Sequence, residues 1–236
     1  MQKVMGYMRK AILDYNMIED GDRIAVGVSG GKDSIVLLGG LAGLRRFLGR
    51  DFTLTAITLD MGFPKGSMDF SPITQYCNSL GIEHIIRKTR IGEVVFEERK
   101  EKAPCSLCSK MRRGVLHDET KKAGCNKLAL GHHMDDAVET FLMNLFIEAR
   151  IACFQPVSYL SVKDITMFRP MIYMPEKEAV RVVAQNNLPL VKSLCPIDGQ
   201  TRRQRMKEFI AAQNAIEPGF KERIFHAMVK GHISDW

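Results

Sequence analysis

The stretch Val26-Gly-Val-Ser-Gly-Gly-Lys-Asp-Ser-Ile-Val-Leu-Leu38 sets two adjacent glycines, a lysine, an aspartate and two serines between two apolar runs. Ile24 to Val28 has the composition of a short buried strand, and apolar positions from Ile35 to Phe47 recur at helical spacing. The stretch therefore reads as strand, tight turn and helix. Gly30 and Gly31 allow positive backbone φ and close approach of a ligand, while a helix starting near Asp33 aims unpaired N–H groups and its positive dipole end at the same point. That makes an anion pocket. Its spacing matches neither the GxxxxGKS/T phosphate loop nor the GxGxxG dinucleotide turn. An ordinary strand-helix turn capped by Ser29 or Asp33 is the plainer alternative.

Working outward, the alternation repeats. Phe52 to Leu59, Ile82 to Arg87 and Lys127 to Leu130 read as strands, with a further one expected at Ile165 to Phe168; Phe70 to Leu80, Asp135 to Ala149 and Glu176 to Asn187 read as helices. Strands alternating with helices predict an α/β fold with a doubly wound, mostly parallel sheet. An amphipathic helix, Lys3 to Ile18, precedes it and is expected to pack on its own sheet or on a second subunit in a homodimer. The expected organisation is an N-terminal helix (1–19), a main domain (20–215) and a C-terminal helical tail (216–236). Two stretches, 90–111 and 187–205, break the rhythm and are expected as cysteine-bearing loops framing the ligand crevice.

The chain has 236 residues, 45% of them hydrophobic, enough for one large domain, and no run of 18 apolar residues. No membrane span or cleavable signal is expected, and the expected location is cytoplasmic. A formal charge of +7 leans toward a polyanionic partner. In a reduced compartment the six cysteines fit thiols or metal ligands better than disulfides. Cys77, Cys125 and Cys153 read as small apolar side chains in the core. Cys105 and Cys108 form a CxxC able to hold one metal centre, with Cys195 in the second irregular stretch. Three cysteines make an incomplete zinc site, for which His84, His117 or His132 would be the fourth ligand, or hold three irons of a 4Fe-4S cluster and leave the fourth open. Arg112 and Arg113 follow the CxxC, and Arg202, Arg203 and Arg205 follow Cys195; they are either solvated helix faces or contacts to RNA phosphates. His132, His133, Asp135 and Asp136 follow a strand end and should face the crevice, with Asp135 the expected N-cap of the next helix unless it or Asp136 serves the substrate. Phe63, Phe154 and Tyr159 are possible base stackers or, more simply, core.

The segment Ser29-Gly-Gly-Lys-Asp-Ser34 resembles the SGGxDS loop of the N-type ATP pyrophosphatases (PP-loop ATPases, with an adenine nucleotide alpha hydrolase-like fold). Pro104-Cys-Ser-Leu-Cys-Ser-Lys-Met-Arg-Arg-Gly114, Ala129-Leu-Gly-His-His-Met-Asp-Asp136 and Ser193-Leu-Cys-Pro196 resemble, in order and spacing, the tRNA 2-thiocytidine synthetase branch of that superfamily. The similarity runs from about Asp20 to Glu208. It implies an enzyme that binds ATP with Mg2+, adenylates a nucleobase carbonyl and replaces the oxygen with sulfur, with cytidine 32 of tRNA as the leading target. The resemblance implies nucleotide contacts at Ser29, Gly30, Gly31, Lys32, Asp33, Ser34 and Asp60, with Gly131 and His133 shaping the site. Lys32, Asp33 and Asp136 are the expected catalytic residues, and Cys105, Cys108 and Cys195 the expected ligands of a 4Fe-4S cluster. The partners implied are tRNA and a sulfur donor such as a cysteine desulfurase or free sulfide. A thiolase for uridine or a small molecule is the alternative within enzymes; from another class, a zinc-stabilised or redox-responsive nucleic-acid-binding protein without thiolation activity.

Overall fold

The computed structural model describes residues 1–63, 66–199 and 201–236. Six strands form one sheet in the order β3-β2-β1-β4-β6-β5. β1 (Asp22–Gly27), β2 (Phe52–Asp60), β3 (Glu83–Lys88), β4 (Lys127–Ala129) and β6 (Ile165–Phe168) are parallel, and β5 (Val157–Leu160) closes one edge antiparallel to β6. The central strand β1 has no polar residue between Arg23 and Gly27, as a strand covered on both faces requires. Strand order reverses between β1 and β4, so the loops leaving the carboxyl ends of these two strands frame the crevice where such sheets bind ligands. The SGGKDS turn leaves β1 and the Gly-His-His turn leaves β4.

The helices are α1 (Gln2–Asp14), α2 (Lys32–Leu44), α3 (Ser71–Ser79), a short α4 (Ile91–Glu93) running into a π-helical turn at Val94–Glu98, α5 (Pro104–Lys122), α6 (Met134–Ile147), α7 (Glu176–Asn186), α8 (Arg202–Ile216) and α9 (Phe220–Lys230). Three interior glycines of α2 would each cost about 1 kcal/mol against alanine. Here two of them let α1 lie close: a Cβ at Gly40 would collide with Met8 Sδ, and one at Gly43 with Met5 Sδ. α1 buries Val4, Met8, Ala11 and Ile12 in this contact, so it packs on its own domain. At the other end Trp236 is buried against Phe154 and Phe225 (ring centroids 5.8 and 5.5 Å), and its indole N–H donates to the Phe154 carbonyl at 2.7 Å. Segments 1–19 and 216–236 thus share one core with the main domain.

Three expectations need correction. The cysteine stretch 90–111 is mostly helical: Cys105 and Cys108 lie at the start of the 19-residue α5, with Pro104 at a position where its missing N–H costs nothing. The stretch 187–205 is irregular only up to α8, whose N-cap Thr201 accepts a hydrogen bond from the Gln204 N–H at 3.2 Å. β5 was not expected at all, because Val157-Ser-Tyr-Leu160 is too short to carry a clear alternation. Phe154 packs in the core beside Trp236, and Phe63 packs on Phe96 at 6.1 Å.

Candidate active site

The turn after β1 is held by its own serines. Ser34 Oγ accepts from the Ser29 N–H (3.1 Å) and donates to the Gly31 carbonyl (2.9 Å), while Ser29 Oγ accepts from the Gly31 N–H (3.3 Å). Gly30 sits at φ +87°, and a Cβ there would also press on Val191 at 3.0 Å. Gly31 is the N-cap of α2 and offers no side-chain cap, so the first N–H groups of that helix remain directed into the crevice. Gly131 lies against the same turn. A Cβ on it would lie 3.1 Å from the Asp33 carbonyl, so its bareness lets the β4 turn sit against the start of α2.

Lys32 Nζ is shared by Asp33 Oδ2 (3.0 Å) and Glu176 Oε1 (2.9 Å). Burial pulls the Lys32 pKa down, but the two carboxylates outweigh it and hold it above the ordinary value. Glu176 in turn meets Lys207 of α8 at 2.6 Å; burial alone would raise its pKa, yet Lys207 and Lys32 bring it down to about 2. Asp33 Oδ1 is buried with no hydrogen-bond partner among the described residues and lies 3.6 Å from His133 Nε2. Asp60 ends β2 at the carboxyl edge, its Oδ1 accepting from the Gly62 N–H at 3.2 Å.

The N-cap of α6 is His133, not Asp135. His133 Nδ1 accepts from the Asp136 N–H (3.3 Å) and Asp136 Oδ2 accepts from the His133 N–H (3.0 Å), a reciprocal capping box. The other Asp136 oxygen takes Arg203 at 3.0 Å. Asp136 therefore builds the wall of the site. Asp135 is also committed: Oδ2 accepts from the Glu176 N–H at 2.8 Å, and Oδ1 meets Lys221. Behind them Glu139, buried and 3.9 Å from Arg203, has its carboxyl pushed up to about 7, first by burial and then by Asp136.

His132 is buried with its ring 5.0 Å from Phe154, and burial, reinforced by Arg169, keeps it neutral. His84 is held between Thr58 and Thr74 hydroxyls at 2.8 Å each. Cys77, Cys125 and Cys153 carry raised thiol pKa values from burial, as small core side chains should.

Cys105 is exposed and Cys108 and Cys195 are half-buried. Burial raises the Cys108 thiol, Arg112 opposes that, and Cys195 and Cys105 add to it, so both lie within electrostatic range of Cys108. The Cys195 segment is tied to the phosphate turn by the backbone: the Val191 N–H donates to the Gly30 carbonyl at 3.0 Å. Among the described residues no three His, Cys, Asp or Glu side chains converge to hold one metal ion. A mononuclear zinc site needs that convergence, whereas a 4Fe-4S cluster gives each thiolate its own iron. A set of three thiols, Cys105 and Cys195 both within range of Cys108, fits the cluster better.

A protein-family model described as a PP-loop domain matches residues 4–213. The chain is 37% identical over 230 residues to the tRNA-cytidine(32) 2-sulfurtransferase of Geobacter sulfurreducens, covering 96% of this chain and 89% of that protein. It is 38% identical over 226 residues to the Pelobacter propionicus protein of the same name, covering 94% and 83%. The chain belongs to the PP-loop tRNA-cytidine(32) 2-sulfurtransferase family. Among solved structures, the U34-tRNA thiolase NcsA from Methanococcus maripaludis with its [4Fe-4S] cluster superposes with a TM-score of 0.79 at 24% identity, covering 97% of this chain and 77% of that one, a likeness of fold.

Within this PP-loop frame the arginines divide. Arg203 donates to Asp136 and to Thr140 Oγ1 (3.2 Å), which fastens α8 onto α6. Arg202 reaches Glu148 at 3.7 Å. Arg112, Arg113 and Arg205 are exposed. Glu176 and Lys207 were missed by sequence reasoning. A glutamate just after Pro175 is an ordinary helix start, and only the fold carries it to Lys32.

Proposed function

We propose that this chain is an ATP-dependent tRNA thiolase that converts cytidine 32 to 2-thiocytidine. The observation that carries this is the SGGKDS turn joined by one backbone hydrogen bond to the segment bearing Cys195, in a family whose curated members are tRNA-cytidine(32) 2-sulfurtransferases. ATP lays its pyrophosphate on the open N–H groups at the start of α2, beside Lys32, with Mg2+ at the phosphates and Asp33 the carboxylate within reach. The C2 oxygen of cytosine attacks the α-phosphorus and pyrophosphate leaves. Sulfide, already at the oxidation level of the product, then adds at C2, and the original oxygen departs with AMP. Lys32 and the helix dipole stabilise the negative charge that gathers on the leaving pyrophosphate. Ser29 and Ser34 hold the turn in shape.

Cys105, Cys108 and Cys195 would hold a 4Fe-4S cluster, and its open iron would supply a place for incoming sulfur beside the activated base. Free sulfide supplies that sulfur directly, or a cysteine desulfurase supplies it as a persulfide that a thiol reductant must first reduce to sulfide. Arg112 and Arg113 on α5, and Arg205 on α8, face solvent near these thiols in sequence and are the residues offered to tRNA phosphates. No helix among the described residues is long and apolar enough to cross a membrane. The test is mass spectrometry of nucleosides from tRNA lacking thiolation, incubated without oxygen with the cluster-loaded protein, ATP, Mg2+ and sulfide. The expected product is 2-thiocytidine at position 32, absent when ATP is withheld; no thionucleoside from protein shown to carry four irons would overturn the reading.

A further inference from the structure

Glu176 lies outside every motif of the family resemblance, yet it is tied firmly into the crevice. Its backbone N–H donates to Asp135 Oδ2 at 2.8 Å. Lys207 approaches both of its oxygens, at 2.7 and 2.6 Å. The side chain is 19% exposed, and the oxygen pointing toward the phosphate turn meets Lys32 Nζ at 2.9 Å. Lysine is a flexible point charge whose four-carbon stem must be ordered before it can serve a phosphate. Asp33, adjacent in sequence, pulls the ammonium back along its own helix. Glu176 pulls it from the opposite wall.

Resting on the reading of the loop as the seat of the ATP pyrophosphate, we propose that Glu176 is a positioning residue that holds Lys32 out over that seat, and that Lys207 of α8 in turn fixes Glu176. The arrangement gives α8, the helix directly after the Cys195 segment, a line to the nucleotide: Lys207 to Glu176 to Lys32. It also assigns Lys207 a task distinct from that of its arginine neighbours, which meet α6 or solvent.

The experiment is calorimetric titration of an ATP analogue with a methylene bridge between the α- and β-phosphorus, and of AMP, in the presence of Mg2+. The proteins are the wild type, Glu176→Gln, Lys32→Met, the double variant and Lys207→Met. Because Glu176 acts through Lys32 on pyrophosphate alone, Glu176→Gln should weaken the analogue about tenfold, as expected when a charge-assisted hydrogen bond is removed, and leave AMP within about twofold. The double variant should bind no more weakly than Lys32→Met alone, since the glutamate has nothing left to position. Lys207→Met, at a half-exposed site, should weaken the analogue about threefold and carries the test if Glu176→Gln does not fold. Unchanged or tighter binding of the analogue, an equal loss for AMP, or additive effects in the double variant would each overturn the proposal. A wild-type protein that does not prefer the analogue to AMP would overturn both this proposal and the ATP reading beneath it.

Discussion

At the phosphate turn Ser29, Lys32 and Ser34 each have a partner, two of them within the turn itself, and the walls beside them are capped, paired and buried. At the start of α5 and in the segment after α7, Cys105 is exposed, Cys195 is half-buried in irregular chain, and no three ligating side chains converge among the described residues. One half of the crevice is finished by the polypeptide alone. On the function proposed above, the other half would be completed by a cluster, and its chemistry would depend on that component. Nucleotide binding and sulfur transfer should therefore be separable by mutation, even though Val191 and Gly30 fasten the two halves together.

The sharpest way to break this comparison is Cys195→Ala. With one of three ligands gone, thiolation should fall by about 100-fold or more while ATP affinity stays within about twofold, because thiolates and phosphate-binding groups share no atom. Thiolation assays on anaerobic protein, beside nucleotide titration, decide it; equal loss of both would mean the halves form one unit. Lys32→Met should do the converse. ATP affinity should drop on the order of 10- to 100-fold once the charged partner of the phosphates is removed, with iron content unchanged.

How far these halves were legible in sequence follows the same division. The turn was readable because its function is written in consecutive residues, and the parallel sheet because each strand carries its own apolar run. The walls were not. His133 as N-cap in place of Asp135, Arg203 turned inward onto Asp136, and Glu176 reaching Lys32 all depend on which helices pack together across the crevice. The glycines of α2 look like helix breakers until α1 lies on them. Cys105 and Cys108 look like loop residues because the charged stretch between Arg99 and Lys102 hides the helix that starts at Pro104.

A change at the seam between the halves sharpens the comparison further. Gly30→Ala places a Cβ at φ +87° and against Val191, a conformation that costs about 1–2 kcal/mol for an L side chain. Thermal unfolding should show that loss, and both ATP affinity and thiolation should decline together, unlike either change above. On the surface, Arg112→Ala with Arg113→Ala should leave ATP binding intact. The slope of log affinity for tRNA against log salt should become shallower by about 0.7–0.9 for each phosphate no longer neutralised, as read from binding titrations across salt concentrations.

The smallest effect expected is one of pH. Glu139 has a folded pKa pushed up to about 7 by burial, above the ordinary 4.5 of the unfolded chain. Its protonated form therefore favours the folded state fully below about pH 4.5, and that contribution is lost as pH rises through about 7. Denaturant titrations should show the decline, on the order of 3 kcal/mol, and Glu139→Gln should flatten it.

The most direct test of a crevice half finished by the polypeptide and half by a cluster is the iron, acid-labile sulfide and zinc content of the protein purified without oxygen. About four irons and four sulfides per chain, lost in Cys195→Ala, are predicted. One zinc and no iron would contradict it.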